Sequence, residues 1–355
     1  MTAPLTLLIG TYTEGPSGLG AGLYRCPVVA ATGALGAPRR IAALRNPTYL
    51  ATHPALDGTL YAIEETAAPA LVRLHLTSSG ARVLQRRRLT GSGACHLAVS
   101  PDGRYLATAQ YQSGHVDLFS LGGDGAIGAH LAAFHAEGNG PNPARQRGPH
   151  AHCVLFLTDP DVLAVADLGR DCVTLFDLAA GAPELRANTA RQIAFPPGSG
   201  PRHITRIAGS DDLAVLCELD ENLTLLRRDQ AGWHLASRRR VFPATPQDGA
   251  AAALRTGPTG LLYASGRSGH EIACIACPAG QAPKVIQTVP SGGHHPRDIL
   301  LSPDGRLLLA ANQHSHSITA FAVAPDSLLR QTPHRAEIGS PACLIWSTAP
   351  SGDLP

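Results

Sequence analysis

The sequence has no hydrophobic run long enough to cross a bilayer, and no basic segment precedes an apolar run at its N-terminus. We therefore expect neither a membrane span nor a secretory signal. Lysine is almost absent, since Lys284 is the only lysine among 29 basic residues, so Schiff-base chemistry is disfavoured. Those 29 basic residues nearly balance 27 acidic ones, which gives no support for a nucleic-acid or membrane-surface partner.

Cysteine is sparse, with eight residues in a chain of 355, and most lie inside apolar runs, as buried thiols do. Cys274 and Cys277 form one CxxC pair, which is weak support for zinc without a second pair. On a strand, two residues three positions apart point to opposite faces, which disfavours a shared ligand further. We expect a reducing, cytoplasmic location.

The content of 37 glycines and 29 prolines disfavours long helices and favours many short strands, and one segment recurs. Residues 94–111 read ACHLAVSPDGRYLATAQY, and residues 295–313 read HPRDILLSPDGRLLLAANQ. Looser copies begin near residues 46, 149, 201 and 251, and a partial copy begins at residue 340. A period of roughly 45–55 residues is close to that of a propeller blade.

Each copy has the parts of a four-stranded antiparallel sheet, and the two copies quoted above have a tight Ser-Pro-Asp-Gly turn between the first two strands. The seventh copy stops after one strand, at residues 344–346, and the N-terminal segments 5–12 and 22–26 supply the strands that it lacks. The sequence therefore predicts an all-β fold, a seven-bladed β-propeller closed by N-terminal strands that pair into the last blade. We expect residues 1–355 to form this single domain.

Unusual polar residues fall at two positions of each blade, the start of the first strand and the end of the second strand. In an antiparallel pair these positions share one edge, so we expect the side chains to converge at one mouth of the propeller. The strand starts carry His96, His150, His152, Arg202, His203, Arg297 and Asp298. The strand ends carry Thr11, Tyr12, Glu64, Glu65, Gln110, Tyr111, Asp167, Glu218, Arg267, Asn312 and Gln313.

Three arginines belong to this predicted site: Arg202, Arg267 and Arg297. Their guanidinium groups would repel one another unless an anion or a carboxylate joined them. The site is therefore predicted to bind a carboxylated, phosphorylated or oxyanionic small molecule. An alternative interpretation is that Glu218 forms a purely structural ion pair with Arg202.

Metal binding is a second alternative for part of this site. His150 and His152 are two residues apart, as are His314 and His316, and either pair could share a strand face and bind a metal. The spacing supplies no third ligand for either pair. We therefore expect a site without metal or cofactor.

In these residues the chain resembles, over essentially its whole length, the seven-bladed β-propeller lactonase family, which contains the propeller-type 6-phosphogluconolactonases and the eukaryotic carboxymuconate cycloisomerases. The motifs are short, but their order and spacing are jointly specific. They are residues 9–13 (IGTYT), 148–152 (GPHAH), 166–169 (ADLG), 198–203 (GSGPRH), 217–219 (CEL), 264–267 (ASGR), 296–298 (PRD) and 311–313 (ANQ).

The resemblance implies a functional set of His150, Arg202, Glu218 and Arg267. Three positions depart from the family pattern and concern the pocket wall. Gln110 stands where asparagine is common, Gly266 stands where asparagine is commoner, and residues 250–254 lack the usual polar start. These departures affect the identity of the substrate more than the type of reaction.

The activity implied is hydrolysis of a sugar-acid lactone in carbohydrate metabolism, either 6-phosphogluconolactone or an unphosphorylated aldono- or aldaro-lactone. Glu218 or His150 would act as general base or acid, and Arg202 and Arg267 would hold the oxyanion or the anionic tail. A lactone is an activated ester, so no covalent nucleophile is required, and no Gly-x-Ser-x-Gly motif is present. Further substrate contacts are expected from Thr11, Tyr12, His96, His152, Asp167, His203, Arg297, Asn312 and Gln313.

Two other functions remain open at this point. The same residues could serve a cycloisomerase acting on a muconate-type diacid, or the propeller could be a non-catalytic scaffold for protein partners. The expected partner is a small anionic lactone, with neither nucleic acid nor membrane involved. We expect a monomer or a weak homo-oligomer.

Overall fold

The computed structural model describes residues 5–16, 18–158, 161–178, 185, 191–242 and 249–348. The strands lie in these ranges, and no α-helix occurs within them. Accordingly, the described part of the chain has no helix with the length and apolar character needed to cross a membrane. The predicted domain, residues 1–355, extends over positions outside these ranges.

The strands are, in chain order, β1 (Leu5–Thr11), β2 (Leu23–Val29), β3 (Ala34–Leu35), β4 (Arg39–Ala42), β5 (Leu50–Thr52), β6 (Thr59–Glu64), β7 (Ala70–Leu76), β8 (Ala81–Arg88), β9 (Ala94–Val99), β10 (Tyr105–Gln110), β11 (His115–Leu121), β12 (Ile127–His135), β13 (Ala151–Thr158), β14 (Asp161–Asp167), β15 (Cys172–Asp177), β16 (Gln192–Ala194), β17 (Pro201–Arg206), β18 (Leu213–Cys217), β19 (Asn222–Asp229), β20 (Gly232–Arg240), β21 (Ala251–Thr256), β22 (Leu262–Gly266), β23 (Glu271–Ala276), β24 (Lys284–Pro290), β25 (Pro296–Leu301), β26 (Leu307–Asn312), β27 (Ser317–Val323), β28 (Leu329–Glu337) and β29 (Pro341–Trp346).

These strands form seven sheets. Six sheets contain four consecutive strands each: β5–β8, β9–β12, β13–β16, β17–β20, β21–β24 and β25–β28. The seventh sheet has the order β29-β1-β2-β3, with β4 also paired to β2, so it joins the two ends of the described chain. The predictions of an all-β fold and of N-terminal strands pairing with the last strand are confirmed.

We number the strands within each sheet by their order. The first strands are β29, β5, β9, β13, β17, β21 and β25, and the second strands are β1, β6, β10, β14, β18, β22 and β26. Neighbouring strands are antiparallel; for example, Leu308 of β26 pairs with Leu301 of β25 and with Phe321 of β27. The start of each first strand and the end of each second strand therefore share one edge of the sheet, as the sequence predicts.

The Ser-Pro-Asp-Gly turns have a local physical cause. The Ser100 hydroxyl donates to the Asp102 carboxylate at 2.6 Å, and the Ser100 carbonyl accepts the Gly103 N–H at 2.8 Å. Gly103 has φ 72°, a conformation that favours glycine because it has no Cβ. The second copy of the motif repeats this geometry, with Gly305 at φ 69° and its N–H bonded to the Ser302 carbonyl at 2.8 Å.

The apolar residues form core layers between neighbouring sheets. Leu216 and Leu225 of one sheet pack in one cluster with Leu254, Ala264 and Ile275 of the next sheet. Similar clusters link β21–β24 to β25–β28, and β25–β28 to the sheet of β29, β1 and β2. In the segment 41–201, clusters link β5–β8 to β9–β12, and β9–β12 to β13–β16. Burial of these faces is the main source of stability for such sheets.

The chain divides into two compact units, residues 1–40 with 202–346 and residues 41–201 with 347–355. The first unit contains the sheet of β29, β1, β2 and β3 and the sheets from β17 to β28. The second unit contains the sheets from β5 to β16. The single domain expected over residues 1–355 stays a prediction.

Candidate active site

A β-bulge recurs between the first and second strands of five sheets, close to the shared edge. Arg297 is the extra residue in β25, because the register shifts between Pro296 and Asp298. His152 is the extra residue in β13. A bulge re-aims the side chains beside it, so these two side chains do not follow strict strand alternation.

Four-residue loops join the second strand to the third strand in five sheets, at residues 111–114, 168–171, 218–221, 267–270 and 313–316. The last residue of each loop has a positive φ of 52° to 70°, at Gly114, Asp171, Glu221, His270 and His316. In four of these loops the backbone N–H of the first loop residue donates to the carbonyl of the residue just before the first strand, as from Gln313 to His295 at 3.0 Å. Tyr12 has the equivalent place, because its N–H donates to the Ser340 carbonyl at 3.0 Å.

The residues predicted at the ends of the second strands occupy two structurally different positions. Thr11, Asp167 and Asn312 are the last residues of second strands, and their side chains bond within their own sheets. The Thr11 hydroxyl donates to the Gly22 carbonyl at 2.7 Å, and Asp167 accepts three backbone N–H groups at 2.8 to 3.2 Å. The Asn312 amide donates to the Thr319 hydroxyl at 3.1 Å. These contacts give the three side chains a structural role, and their role in substrate binding stays a prediction.

The first loop residues include two members of the predicted functional set. The Glu218 carboxylate accepts the Nε–H of Arg202 through Oε2 at 2.7 Å and pairs through Oε1 with Nη2 of Arg267 at 2.9 Å. Arg202 also donates to the Ala252 carbonyl, and Nε of Arg267 donates to the Ala250 carbonyl at 3.0 Å. Glu218 is 3% exposed and Arg202 is 5% exposed, so the three charges form a buried cluster rather than a solvated edge.

This cluster carries a net positive charge, because two guanidinium groups share one carboxylate. Burial lowers the pKa of Arg267 to about 10; Glu218 opposes this decrease, and the positive charges of Arg202 and Arg297 add to it. Arg267 therefore remains protonated at neutral pH. An anion entering the cluster would meet fixed, desolvated donors.

Arg297 lies in the same unit and extends this positive region. Its guanidinium carbon is 5.0 Å from the centroid of the Tyr12 ring, a cation–π contact. His295, next to it along the chain, stacks on His314 with ring centroids 3.9 Å apart. Burial, together with the positive charge of Arg267, lowers the pKa of His295 to about 2. His295 is therefore neutral at physiological pH.

His150 lies in the second unit, immediately before β13. Its Nδ1 is 2.7 Å from the Tyr111 carbonyl, and the two rings stack with centroids 4.6 Å apart. A carbonyl oxygen only accepts, so Nδ1 carries the proton and the lone pair lies on Nε2. The backbone N–H of His150 donates to Asp167 at 2.8 Å, and His152 lies edge-on to Tyr111 with ring centroids 5.5 Å apart. The imidazole is thus oriented by contacts on one nitrogen and presents the other as a base.

Two further histidines predicted to contact substrate connect neighbouring first strands. Nε2 of His203 is 3.0 Å from Nη1 of Arg255, and Nη2 of Arg255 donates to Asp298 at 2.7 Å. Asp298 also accepts the Leu344 N–H at 2.8 Å, which completes a chain of contacts across β17, β21, β25 and β29. Burial raises the pKa of Asp298, and Arg255 opposes this increase.

His96 has a similar environment in the second unit. Its Nδ1 accepts the Val154 N–H at 3.4 Å, and its ring lies 4.0 Å from the Tyr49 ring between centroids. Its Nε2 is 3.5 Å from the Cys153 sulfur. The contacts of His96 and His203 link neighbouring strands to each other. The role of both histidines in substrate binding stays a prediction.

Comparison with known proteins identifies the family. The family model described as "Lactonase, 7-bladed beta-propeller" matches residues 6–346. The chain belongs to this lactonase family. The predicted seven-bladed β-propeller is therefore confirmed, with one sheet for each blade. Lactone hydrolysis in sugar metabolism is supported by the names of the relatives that follow.

The lactonase-family chain is 26% identical to the 6-phosphogluconolactonase of Bacillus subtilis over 347 residues, which is 95% of this chain and 96% of the relative. It is 25% identical to the 6-phosphogluconolactonase of Formosa agariphila over 257 residues, 71% of this chain and 73% of the relative. It is also similar to the solved structure of the periplasmic gluconolactonase of Pseudomonas aeruginosa, with a TM-score of 0.89, 26% identity and coverage of 98% of this chain and 100% of that chain.

Neither histidine pair considered for metal binding has a third ligand nearby in the described part of this lactonase-family chain. No described His, Cys, Asp or Glu forms a group of three convergent ligand atoms with His150 and His152, or with His314 and His316. The CxxC pair likewise forms no group of three convergent ligand atoms with another described His, Cys, Asp or Glu. Burial raises the thiol pKa of Cys274 to about 12, so this side chain is a protonated thiol at neutral pH in the absence of a metal.

Two grooves in the first unit lie away from the arginine cluster. They have volumes of about 490 and 480 Å³ and are lined by residues of the turns at 206–211, 256–261 and 276–280. These turns are at the far ends of β17, β21 and β23, whereas Arg202 and Arg267 lie near the opposite edge of their sheets. Neither groove contains a predicted site residue.

Arg255, which joins His203 to Asp298, is not among the residues that the sequence predicts for the site. Arg255 lies in β21, the first strand of its sheet. This strand starts with alanine and leucine residues, so no polar residue at its start indicates a site. A charged residue within an otherwise apolar strand is the one signal that could have identified it, since a buried charge needs a partner. Here the partner is the buried carboxylate of Asp298.

Proposed function

We propose that this protein hydrolyses the ring ester of a sugar-acid lactone, either 6-phosphogluconolactone or an unphosphorylated aldono- or aldaro-lactone. The observation that carries the proposal is the buried cluster in which Arg202 and Arg267 share the carboxylate of Glu218 and retain a net positive charge. This charge suits the anionic group of a sugar acid and the oxyanion of a tetrahedral intermediate. Relatives named as 6-phosphogluconolactonases and as a gluconolactonase support the same substrate class.

In the proposed reaction, a water oxygen attacks the lactone carbonyl carbon, and the carbonyl oxygen becomes an oxyanion. The ring C–O bond then breaks, the carbonyl re-forms, and the ring oxygen takes up a proton to become a hydroxyl group. Arg202 and Arg267 stabilise the oxyanion or hold the anionic tail of the substrate. Both guanidinium groups are pre-positioned by Glu218 and by backbone carbonyls, so little reorganisation is needed.

We assign the general base to His150 rather than to Glu218. Both carboxylate oxygens of Glu218 already contact guanidinium groups at 2.7 and 2.9 Å, so this side chain acts as a positioning residue. The imidazole of His150 keeps its Nε2 lone pair because Nδ1–H donates to the Tyr111 carbonyl. A histidine in this state can take a proton from water and return it to the leaving hydroxyl.

The proposal is tested by measuring acid release from a panel of fresh lactones with a pH indicator. The panel contains 6-phosphogluconolactone, glucono-, galactono- and aldaric lactones, with and without chelator, and the blank is each lactone in buffer. We expect release well above the blank on at least one lactone, unchanged by the chelator. Chelator-sensitive release would favour a metal at His150 and His152.

No acceleration on any lactone would contradict the proposal. In that case a muconate-type diacid is assayed with the same protein. Its turnover would favour the cycloisomerase, and its failure would favour the non-catalytic scaffold.

The expected compartment and assembly are proposals of the same kind. We propose a cytoplasmic location, a small anionic lactone as the partner, and a monomer or weak homo-oligomer. The eight cysteines, all in the described part of the chain, are thiols, which supports a reducing compartment. Cell fractionation and light scattering of the purified protein test these points.

A further inference from the structure

Gln313 holds a buried polar atom without a hydrogen-bond partner. The residue is 6% exposed, and its side-chain Oε1 contacts no donor in the described part of the chain. Buried polar atoms are nearly always paired, because an unpaired one loses its bond to water and gains nothing in return. Gln313 therefore has an unmet bonding requirement that a bound molecule can satisfy.

The position of Gln313 in its sheet is equivalent to the positions that Glu218 and Arg267 occupy in their sheets. Gln313 is the first residue of its loop, the place that Glu218, Arg267 and Tyr12 occupy in the other sheets of the first unit. Side chains at this place in consecutive sheets can touch, because Glu218 and Arg267 are 2.9 Å apart. The sheet that carries Gln313 stands between the sheet of Arg267 and the sheet of Tyr12.

Two contacts near Gln313 agree with this position in the sheet. The N–H of Gln313 is bonded to the carbonyl of His295, whose pKa is lowered by burial and, in addition, by the positive charges of Arg267 and Arg297. Arg297 in turn lies over the ring of Tyr12. Gln313 is thus bonded through its backbone to a residue that lies within the electrostatic influence of Arg267 and Arg297.

The chemistry of an amide narrows the class of ligand. A glutamine side chain offers an acceptor oxygen and a donor nitrogen at one end, and its two orientations interchange them. A hydroxyl group both donates and accepts, so it satisfies either orientation. A carboxylate or a phosphate only accepts, and an unsubstituted methylene does neither.

We propose that the side-chain amide of Gln313 hydrogen-bonds a hydroxyl group of the substrate and makes the site selective for polyhydroxylated lactones. This inference rests on the proposed lactone hydrolysis and adds the side chain that recognises the hydroxyl groups of the sugar. The arginines recognise negative charge, which a muconate-type diacid also carries. Gln313 recognises hydroxyl groups, which that diacid lacks.

The test compares two lactones with the same ring size, D-glucono-δ-lactone and the hydroxyl-free δ-valerolactone. For Gln313→Leu we expect kcat/KM on the gluconolactone to fall by about 10- to 100-fold, as when one hydroxyl contact is lost. On δ-valerolactone kcat/KM should stay within about twofold, because no hydroxyl is present to lose. The melting temperature should not fall, because Oε1 has no protein partner to lose.

Gln287→Leu is the matched control. Its side chain is fully used in structure: Oε1 accepts the Leu329 N–H at 2.7 Å, and Nε2 donates to the Leu329 carbonyl at 3.0 Å. This variant should lower the melting temperature and leave the ratio of the two kcat/KM values unchanged. An equal loss on both lactones in Gln313→Leu, or no loss on either, would overturn the inference.

Binding of the open-chain acids separates this inference from the proposed function. D-Gluconate and 5-hydroxypentanoate are titrated calorimetrically into the wild type and into Gln313→Leu. Weaker gluconate binding in the variant, with no lactone hydrolysis by the wild type, would support the role of Gln313 and contradict the proposed function. Lactone hydrolysis by the wild type, with gluconate binding that does not depend on Gln313, would support the proposed function and contradict the role of Gln313.

Discussion

Replacing Glu218 with glutamine removes one negative charge from between two guanidinium groups and keeps the shape of the side chain. Glu218 is 3% exposed, so water cannot replace the lost charge. Two charge-assisted contacts are affected, to Arg202 at 2.7 Å and to Arg267 at 2.9 Å. We expect this substitution to destabilise the fold strongly.

The magnitude follows from these contacts. A hydrogen bond to a charged group is worth about 1.5–3 kcal/mol, so two such bonds amount to roughly 3–6 kcal/mol. Removing one partner of a buried ion pair typically costs about 3–5 kcal/mol, because the remaining charge stays buried without compensation. Both routes give a loss of about 3–5 kcal/mol in the free energy of unfolding for Glu218→Gln.

The assay is urea denaturation of Glu218→Gln, Arg267→Met and the double variant, which together form a double-mutant cycle. We expect a coupling energy of at least about 1 kcal/mol, because the two side chains are in direct contact. The control is Glu337→Gln, whose ion pair with Arg335 at 2.6 Å is solvent-exposed; it should cost less than about 1 kcal/mol. A loss below about 1 kcal/mol for Glu218→Gln, or a coupling energy of zero, would refute the electrostatic account of this cluster.

Three further predictions concern other parts of the molecule. For His150→Ala, kcat on a hydrolysed lactone should fall by about 10²- to 10⁴-fold with little change in melting temperature, and a near-normal kcat would exclude His150 as the base. The pKa of His295 is about 2 in the folded state against an ordinary 6.5, so stability should be lost as pH falls below 6.5, because only the unfolded chain binds the proton. Urea midpoints from pH 7.5 to 5 should fall less in His295→Asn than in the wild type or in the exposed-site control His294→Asn; parallel slopes would contradict this. Gly103→Ala should cost about 1–3 kcal/mol, because φ is 72° and the new Cβ would lie 2.6 Å from the His53 ring; an unchanged melting temperature would contradict this.

The fold was predictable because its signals are local and repeated. The Ser-Pro-Asp-Gly turn at residues 100–103 and again at 302–305 fixes where the first strand of a sheet ends and the second begins. The single strand left at 341–346 predicted that β1 and β2 complete its sheet, which the pairing of β29 with β1 confirms.

The candidate site was predictable only to within one residue along the strand. Asp167 and Glu218 look equivalent in sequence, since each follows an apolar run and precedes leucine. In the structure Asp167 ends its strand and bonds within its own sheet, whereas Glu218 begins the loop and contacts two arginines. Strand periodicity cannot make this distinction, because a shift of one residue reverses the direction of a side chain.

The β-bulges and the contacts between neighbouring sheets account for the parts of the site that the sequence does not predict. A bulge depends on the register with the partner strand, which no pattern within β25 reveals for Arg297. The contact of Arg255 with His203 and Asp298 joins three first strands that are distant in sequence. Such contacts depend on packing between sheets rather than on local sequence.

The measurement that tests the central claim most directly is the initial rate of acid release from 6-phosphogluconolactone and glucono-δ-lactone by the wild type, Arg267→Met and the exposed-site control Arg335→Met. We expect the wild type and Arg335→Met to hydrolyse at least one lactone at equal rates, and Arg267→Met to be slower by about 10²- to 10³-fold while still folded. A wild-type rate equal to that of buffer, or a folded Arg267→Met as fast as the wild type, would contradict the claim that this buried arginine cluster is the centre of a lactonase.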